Sequence, residues 1–236
     1  MKKILGCLRR AIEDFDMIQN GDKIAVGVSG GKDSLMLLNA LSLYRYFSPV
    51  KFELYGIMLT LGFEDVDTSI IEQFCAKIEV PLIIKHTLIG KVVFEKRQEK
   101  NPCSLCARMR RGALHNAALK IGCKKVALGH HREDAIETFL LSLFYEGRIN
   151  TFSPVTYLDR KDITLIRPLI YVPESEIKTA SKKMSLPILQ NSCPADGRTK
   201  RQEMKELMDY ITDIIPNARE QVLTALMNRE QYNLWD

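Results

Sequence analysis

Val26-Gly27-Val28-Ser29-Gly30-Gly31-Lys32-Asp33-Ser34 (VGVSGGKDS) is the stretch on which the fold turns. Just upstream, Lys23 to Val28 (KIAVGV) is a short apolar run with β-branched residues and reads as a buried strand. Ser29-Gly30-Gly31 interrupts it. From Lys32 to Tyr46 apolar residues return at helical spacing, at Leu35, Met36, Leu38, Leu41 and Leu43. Strand, glycine turn and helix in this order point free backbone N–H groups and the positive helix end at a phosphate. Glycines admit close backbone approach, and Ser29, Lys32 and Ser34 add donors. The plainer alternative is a tight strand-to-helix turn that needs small residues. Ser29, Lys32, Asp33 and Ser34 gathered at one turn favour the phosphate reading. The spacing matches neither the Walker pattern nor the GxGxxG dinucleotide fingerprint.

Working outward, residues 2 to 19 read as an amphipathic helix, with Ile4, Leu8, Ile12, Phe15 and Ile18 three and four apart, ended by Asn20-Gly21. Phe52 to Leu59 is a second strand and Asp65 to Ile78 a helix. Leu82 to His86 is a third strand, Val126 to Leu128 a fourth and Ile163 to Ile166 a fifth. Helices are expected over Pro102 to about Lys120 and over Glu133 to Tyr145. This alternation predicts an α/β fold, a parallel sheet with helices on both faces. Such sheets bind ligands at the carboxyl ends of their strands, where strand order reverses. The glycine loop and the segment after the fourth strand should therefore meet. From Pro173 onward a helical tail is expected, with helices over Glu174–Met184, Thr199–Ile214 and Ala218–Asn228, and with no legible chemistry except at Cys193. The division is residues 1–20 as an N-terminal helix, 21–170 as the nucleotide-binding domain and 171–236 as the helical C-terminal region.

The 236 residues suit one large domain or one with a small appendage, and 46% hydrophobic content is ample for a core. Thirty-four Lys and Arg against 29 acids give +5, a mild lean toward a polyanionic partner. No stretch is long and apolar enough to span a membrane, and the charged start MKKILGCLRRAIEDF does not resemble a signal peptide. A cytoplasmic protein is expected. Six cysteines there favour metal, cluster or catalytic roles over disulfides.

Gly129-His130-His131-Arg132-Glu133-Asp134-Ala135-Ile136-Glu137-Thr138 sits at a strand end and opens a helix. Asp134 and Glu137 share a helix face. Their position near the positive helix end explains them in one reading. In the other they form a second wall of an ATP site, with Asp33 and Asp134 holding Mg²⁺ beside the phosphates. His130 and His131 are adjacent and cannot point the same way.

Cys103-Ser104-Leu105-Cys106 is a CxxC at the start of a helix, where thiolates are favoured. A redox pair and an incidental spacing are both open for a lone CxxC, and a zinc site would need two more ligands. Cys193, in the loop Gln190-Asn191-Ser192-Cys193-Pro194, adds a third thiolate. Three cysteines can hold a [4Fe-4S] cluster with one iron lacking a protein ligand, an open coordination position. Cys7, Cys75 and Cys123 read as packing residues. Lys96, Arg97 and Lys100 precede the CxxC, Arg108, Arg110 and Arg111 follow it, and Lys200 and Arg201 follow Cys193. These read either as a solvated face or as RNA phosphate contacts.

SGGKDS resembles the pyrophosphate loop of the PP-loop ATP pyrophosphatases, which adenylate a carbonyl oxygen and release pyrophosphate. The fold implied is adenine nucleotide alpha hydrolase-like. GHHxxDxxET is similar to the signature of the tRNA thiolases in that family. Together with PCxxCxRxRRG and RPLxYVPE (Arg167 to Glu174), these motifs resemble the tRNA 2-thiocytidine synthetases over roughly residues 20 to 200. Cys193 is followed by Pro-Ala-Asp, a departure from that pattern. The resemblance implies an ATP- and Mg²⁺-dependent thiolation of a cytidine, position 32 of the anticodon loop, with a [4Fe-4S] cluster as sulfur carrier. It implies that Ser29, Gly30, Gly31, Lys32 and Ser34 bind pyrophosphate with His130 alongside. It further implies that Lys32, Asp33 and Asp134 serve the reaction, and that Cys103, Cys106 and Cys193 hold the cluster. Expected partners are tRNA, a sulfur donor such as a cysteine desulfurase, and a second copy in a homodimer. The alternatives are an adenylating enzyme with another tRNA base or a small molecule as target, and a non-catalytic iron–sulfur sensor that binds nucleotide and RNA.

Overall fold

A computed structural model describes residues 1–62, 66–97, 102–189 and 200–228. The chain runs α1 (Lys2–Asp14), β1 (Asp22–Val28), α2 (Lys32–Phe47), β2 (Phe52–Thr60), α3 (Ser69–Lys77) and β3 (Leu82–His86). A short helical turn, α4 (Ile89–Lys91), runs into a π-helical stretch over Val92–Arg97. Then follow α5 (Pro102–Lys120), β4 (Lys125–Ala127), α6 (Arg132–Glu146), β5 (Val155–Leu158), β6 (Ile163–Ile166), α7 (Glu174–Lys183), α8 (Lys200–Ile214) and α9 (Ala218–Met227).

The six strands among the described residues lie in the order β3-β2-β1-β4-β6-β5. The chain moves outward from β1 through β2 to β3, then returns to β4 on the other side of β1. The switch point therefore lies between β1 and β4, whose registers pair Ala25 with Val126 and Val26 with Ala127. All pairings are parallel except β5 with β6, an antiparallel hairpin at the edge. The expected parallel sheet is present, and β5 adds an antiparallel edge strand that was not among the five expected. Val155 to Leu158 is four residues long behind Pro154, and only Tyr157 among them is well exposed. Its strand character comes from pairing with β6, not from a pattern of its own.

Alternation along β1 divides the core. Ile24, Val26 and Val28 pack with α1, α2 and α7, whereas Ala25 joins Leu114, Ala117 and Ala118 of α5 on the opposite face. Leu35, Met36, Leu37, Leu38, Ala40 and Leu41 of α2 are fully buried, which anchors the helix that follows the glycine loop. Truncating one such leucine costs about 2–5 kcal/mol.

α1 ends at Asp14, five residues before the limit expected from periodicity. Phe15 leaves helical geometry, and Asp16 takes a left-handed φ of 46°, which aspartate tolerates better than most residues. Met17 and Ile18 stay buried after the turn, so the apolar spacing continued beyond the helix. α8 and α9 pack on α6 through Met204, Met208 and Ala218 against Ile136 and Leu140. Among the described residues no helix is long and apolar enough to cross a membrane.

Candidate functional site

The loop between β1 and α2 is held by its own serines. Ser34 Oγ accepts the Ser29 N–H at 3.1 Å and donates to the Gly31 carbonyl at 3.0 Å. Ser29 Oγ accepts the Gly31 N–H at 3.3 Å. No side chain of the described residues caps α2, so its first-turn amides stay turned toward the mouth of the loop. Gly30 sits at φ +80°, a left-handed position that glycine adopts without strain. Leu189 lies over it and donates its N–H to the Gly30 carbonyl at 3.0 Å.

The segment after β4 meets this loop, as the topology predicts. A Cβ on Gly129 would lie 3.0 Å from both the Asp33 carbonyl carbon and the Ser34 nitrogen, so the two backbones touch where no side chain fits. The adjacent histidines diverge. His131 begins α6 and turns into a nest of acids, with Nε2 3.8 Å from Asp33 Oδ1 and 3.5 Å from Asp134 Oδ2. Burial opposes its charged form, but Glu133, Asp134 and Asp33 outweigh burial and raise its pKa. His130 faces a cavity with its ring 5.0 Å from Phe152. Burial lowers its pKa to about 4, aided by Arg167 and Arg201, so it is neutral at physiological pH.

Asp134 is doubly engaged: Oδ2 accepts the His131 N–H at 2.9 Å, and Oδ1 accepts from Arg201 at 3.1 Å. Asp33 gives Oδ2 to Lys32, while its buried Oδ1 has no hydrogen-bond partner. That free carboxylate oxygen at the loop fits a cation bound beside a phosphate. Lys32 points away from the cavity. Its ammonium lies 2.9 Å from Asp33 and 3.1 Å from Glu174.

The cavity is about 620 Å³ and lies between the glycine loop, the segment after β4 and the α5 helix. Ser29, Asp33 and Ser34 form one wall, His130 and Asp134 another, and α5 supplies Ala107, Arg110, Arg111 and Leu114. Arg110 and Arg111, read from the sequence either as a solvated face or as RNA phosphate contacts, thus also line the rim of this cavity. The CxxC occupies the first turns of α5, just ahead of Ala107. Cys103 is exposed, and Cys106 is buried against Ile89 and Val93. At i and i+3 their side chains share a helix face. Cys193, the third expected ligand, lies outside the described residues, as does Lys100. Among the described residues no three His, Cys, Asp or Glu side chains gather as a metal site. Cys75 and Cys123 are buried, and burial pushes both thiols up to about 11, in keeping with packing roles.

The tail, in which the sequence showed no legible chemistry beyond Cys193, sends charged side chains to the site. Glu174, at the start of α7, receives Lys32 (3.1 Å), Lys178 (3.0 Å) and Lys205 (2.7 Å). Arg201 does not face outward but reaches Asp134, Glu137 (3.4 Å) and Thr138 (3.0 Å) on α6. The one available signal was the RPLIYVPE stretch, which ends in Glu174.

A serine-tied glycine loop, an uncapped helix start and an acid-lined second wall at the switch point define a PP-loop nucleotide-binding protein. A profile described as a PP-loop domain matches residues 6–210. The chain is similar to the tRNA-cytidine(32) 2-sulfurtransferase of Pelobacter propionicus, 37% identical over 100% of this chain and 88% of that protein. It is 38% identical to the one from Syntrophotalea carbinolica, over 100% of this chain and 91% of that protein. The chain belongs to the PP-loop family, in the branch of the tRNA-cytidine(32) 2-sulfurtransferases. Among solved structures, the U34-tRNA thiolase NcsA from Methanococcus maripaludis with its [4Fe-4S] cluster aligns with a TM-score of 0.79 at 23% identity, over 98% of this chain and 79% of that one. The NH3-dependent NAD synthetase from Campylobacter jejuni aligns at 0.50 and 17% identity, over 98% and 93%. Both likenesses concern the fold.

Proposed function

We propose that this protein is an ATP-dependent tRNA sulfurtransferase that adenylates and then 2-thiolates cytidine 32 of the anticodon loop. The observation that carries the reading is the seating of α5, which holds the CxxC in its first turns, against the glycine-loop cavity through Ala107, Arg110, Arg111 and Leu114. In the first step the cytidine C2 oxygen attacks the α-phosphorus and pyrophosphate departs onto the α2 amides and the Ser29–Ser34 loop. In the second, sulfur bonds to C2 and the C2–O bond breaks, releasing AMP with the original oxygen.

Asp33 Oδ1 and Asp134 are suited to Mg²⁺, which would neutralise the departing pyrophosphate. Neutral His130 can donate a hydrogen bond in the cavity without adding charge. Cys103 and Cys106 have the spacing and shared face to hold two irons of a [4Fe-4S] cluster, and Cys193 is the third ligand of this proposal. Leu189 is fixed at Gly30, and the four residues to Cys193 span at most about 14 Å. When bound, the cluster supplies an iron without a protein ligand at which sulfur can be held. Arg108, Arg110 and Arg111 on α5 suit the tRNA backbone, and a flipped loop base suits a recessed site. A cysteine desulfurase as donor and a homodimer complete the proposal.

The test is iron and acid-labile sulfide on protein purified without oxygen. About four of each per chain are expected. Cys103→Ala should lose them and all thiolation while keeping ATP affinity. Full thiolation by that variant would refute the cluster mechanism.

A further inference from the structure

Arg167 follows β6 and opens the RPLIYVPE stretch, whose first residue the proposed reaction leaves without a role. It is 7% exposed and lines the same cavity as Ser29, Asp33 and His130. One guanidinium nitrogen donates to the Ser153 carbonyl at 2.6 Å and to Thr156 Oγ1 at 3.2 Å, and the plane lies 4.9 Å from the Phe152 ring centre. Its buried Nε has no hydrogen-bond partner.

Among the buried and half-buried cations around this site its lack of a counter-ion is the exception, whereas Arg110 and Arg111 are exposed to solvent. Lys32 has Asp33 and Glu174, Arg132 has Glu133 and Glu220, and Arg201 has Asp134 and Glu137. No carboxylate among the described residues lies within 4.0 Å of Arg167. Burial alone lowers its pKa, to about 10, with no acid opposing the shift. A buried cation left unpaired is costly, and that cost is offset when a ligand brings the missing anion.

The topology says which anion. In the order β1-β4-β6 the glycine loop ends the first strand and Arg167 the third. Two strand spacings are about 10 Å, too far for a group seated on the loop itself. We infer that Arg167 binds a phosphate oxyanion in this cavity other than the pyrophosphate held by the glycine loop. The chemistry is shared by two sources, the α-phosphate of the nucleotide and a phosphodiester of the bound RNA. This inference rests on the proposed ATP and tRNA chemistry.

The experiment uses the full chain, anaerobically reconstituted, at one fixed salt concentration. Affinities for ATP, AMP and tRNA are measured for wild type, Arg167→Gln, Arg167→Lys and a Gly30→Val loop control. A lost charge-assisted hydrogen bond predicts a roughly 10- to 100-fold weakening in Arg167→Gln, with substantial recovery in Arg167→Lys and unliganded melting unchanged or raised. Weakening confined to ATP and AMP assigns the nucleotide source, and weakening confined to tRNA assigns the RNA. All three affinities within twofold of wild type, with only melting lowered, would mean a structural role and overturn the inference. If the loop control loses ATP while Arg167→Gln binds all three ligands normally, the inference fails alone. Wild type that binds neither ATP nor tRNA would overturn both it and the reading beneath it. Should Arg167→Gln not fold, the Nε–H resonance of Arg167 in ¹⁵N-arginine-labelled wild type, assigned by its loss in Arg167→Lys, decides. A shift on adding ATP or tRNA supports the contact, and no shift with either refutes it.

Discussion

Replacing Glu174 with glutamine removes the negative charge that Lys32, Lys178 and Lys205 share at 3.1, 3.0 and 2.7 Å. The side chain is 12% exposed, so solvent screens these pairs little. Burial would raise the glutamate's pKa, yet hydrogen bonds from the three lysines overcome it and pull the value from 4.5 to about 2. At about 1.4 kcal/mol per pH unit, the ionised group contributes roughly 3 kcal/mol to stability at pH 7. Because the folded-state pKa lies below the unfolded one, the contribution is complete above about pH 4.5 and lost as pH falls toward 2. By pH 3 about half remains. Glu174→Gln should therefore melt roughly 6–12 °C below wild type at pH 7, for a domain of this size. Urea unfolding at pH 7 and pH 3 is the assay, and the gap between the two proteins should halve at the lower pH. Equal stability at pH 7, or a gap that does not shrink with acid, would refute the argument that the three-lysine cluster is held by this one carboxylate.

Gly129→Ala puts a methyl group 3.0 Å from the Asp33 and Ser34 backbone, where no flexible side-chain end can yield. It should weaken ATP binding at least tenfold while circular dichroism stays unchanged, as titration calorimetry would show. Cys106 is buried against Ile89 and Val93, whereas Cys103 is exposed. Both serine variants should lose iron, but only Cys106→Ser should also lower the melting temperature of the iron-free protein. Each of Arg108→Ala and Arg111→Ala should lower the slope of log tRNA affinity against log salt by about 1, as filter binding at several salt concentrations would reveal.

Much of the nucleotide site could be read from the chain because its elements are local. The KIAVGV run, the SGG break and the leucines from Leu35 onward each announce their own structure, and β1 and α2 form where they predict. The meeting of the loop with Gly129 followed from strand order alone. What escaped was set by distant partners. β5 exists by pairing with β6, and α1 stops short because Met17 and Ile18 are buried by neighbours after the helix has ended. The direction of Lys32 depends on Glu174, more than 140 residues away, which no local pattern announces. Arg201 looked like one of a basic pair, yet Lys200 stays at the surface with Glu203 while Arg201 turns inward to Asp134. Periodicity places a side chain on a helix face, but only packing decides which charged residue on that face meets an acid.

The proposed reaction is ATP-driven replacement of oxygen by sulfur at cytidine 32. Its most direct test incubates the reconstituted protein, under anaerobic conditions, with unmodified tRNA, ATP, Mg²⁺ and a sulfide source. Mass spectrometry of the digested tRNA then counts 2-thiocytidine against AMP released. One AMP and one pyrophosphate per 2-thiocytidine are expected, confined to position 32 and abolished when ATP is omitted. Pyrophosphate release with no thiolated cytidine, or thiolation that proceeds without ATP, would contradict it.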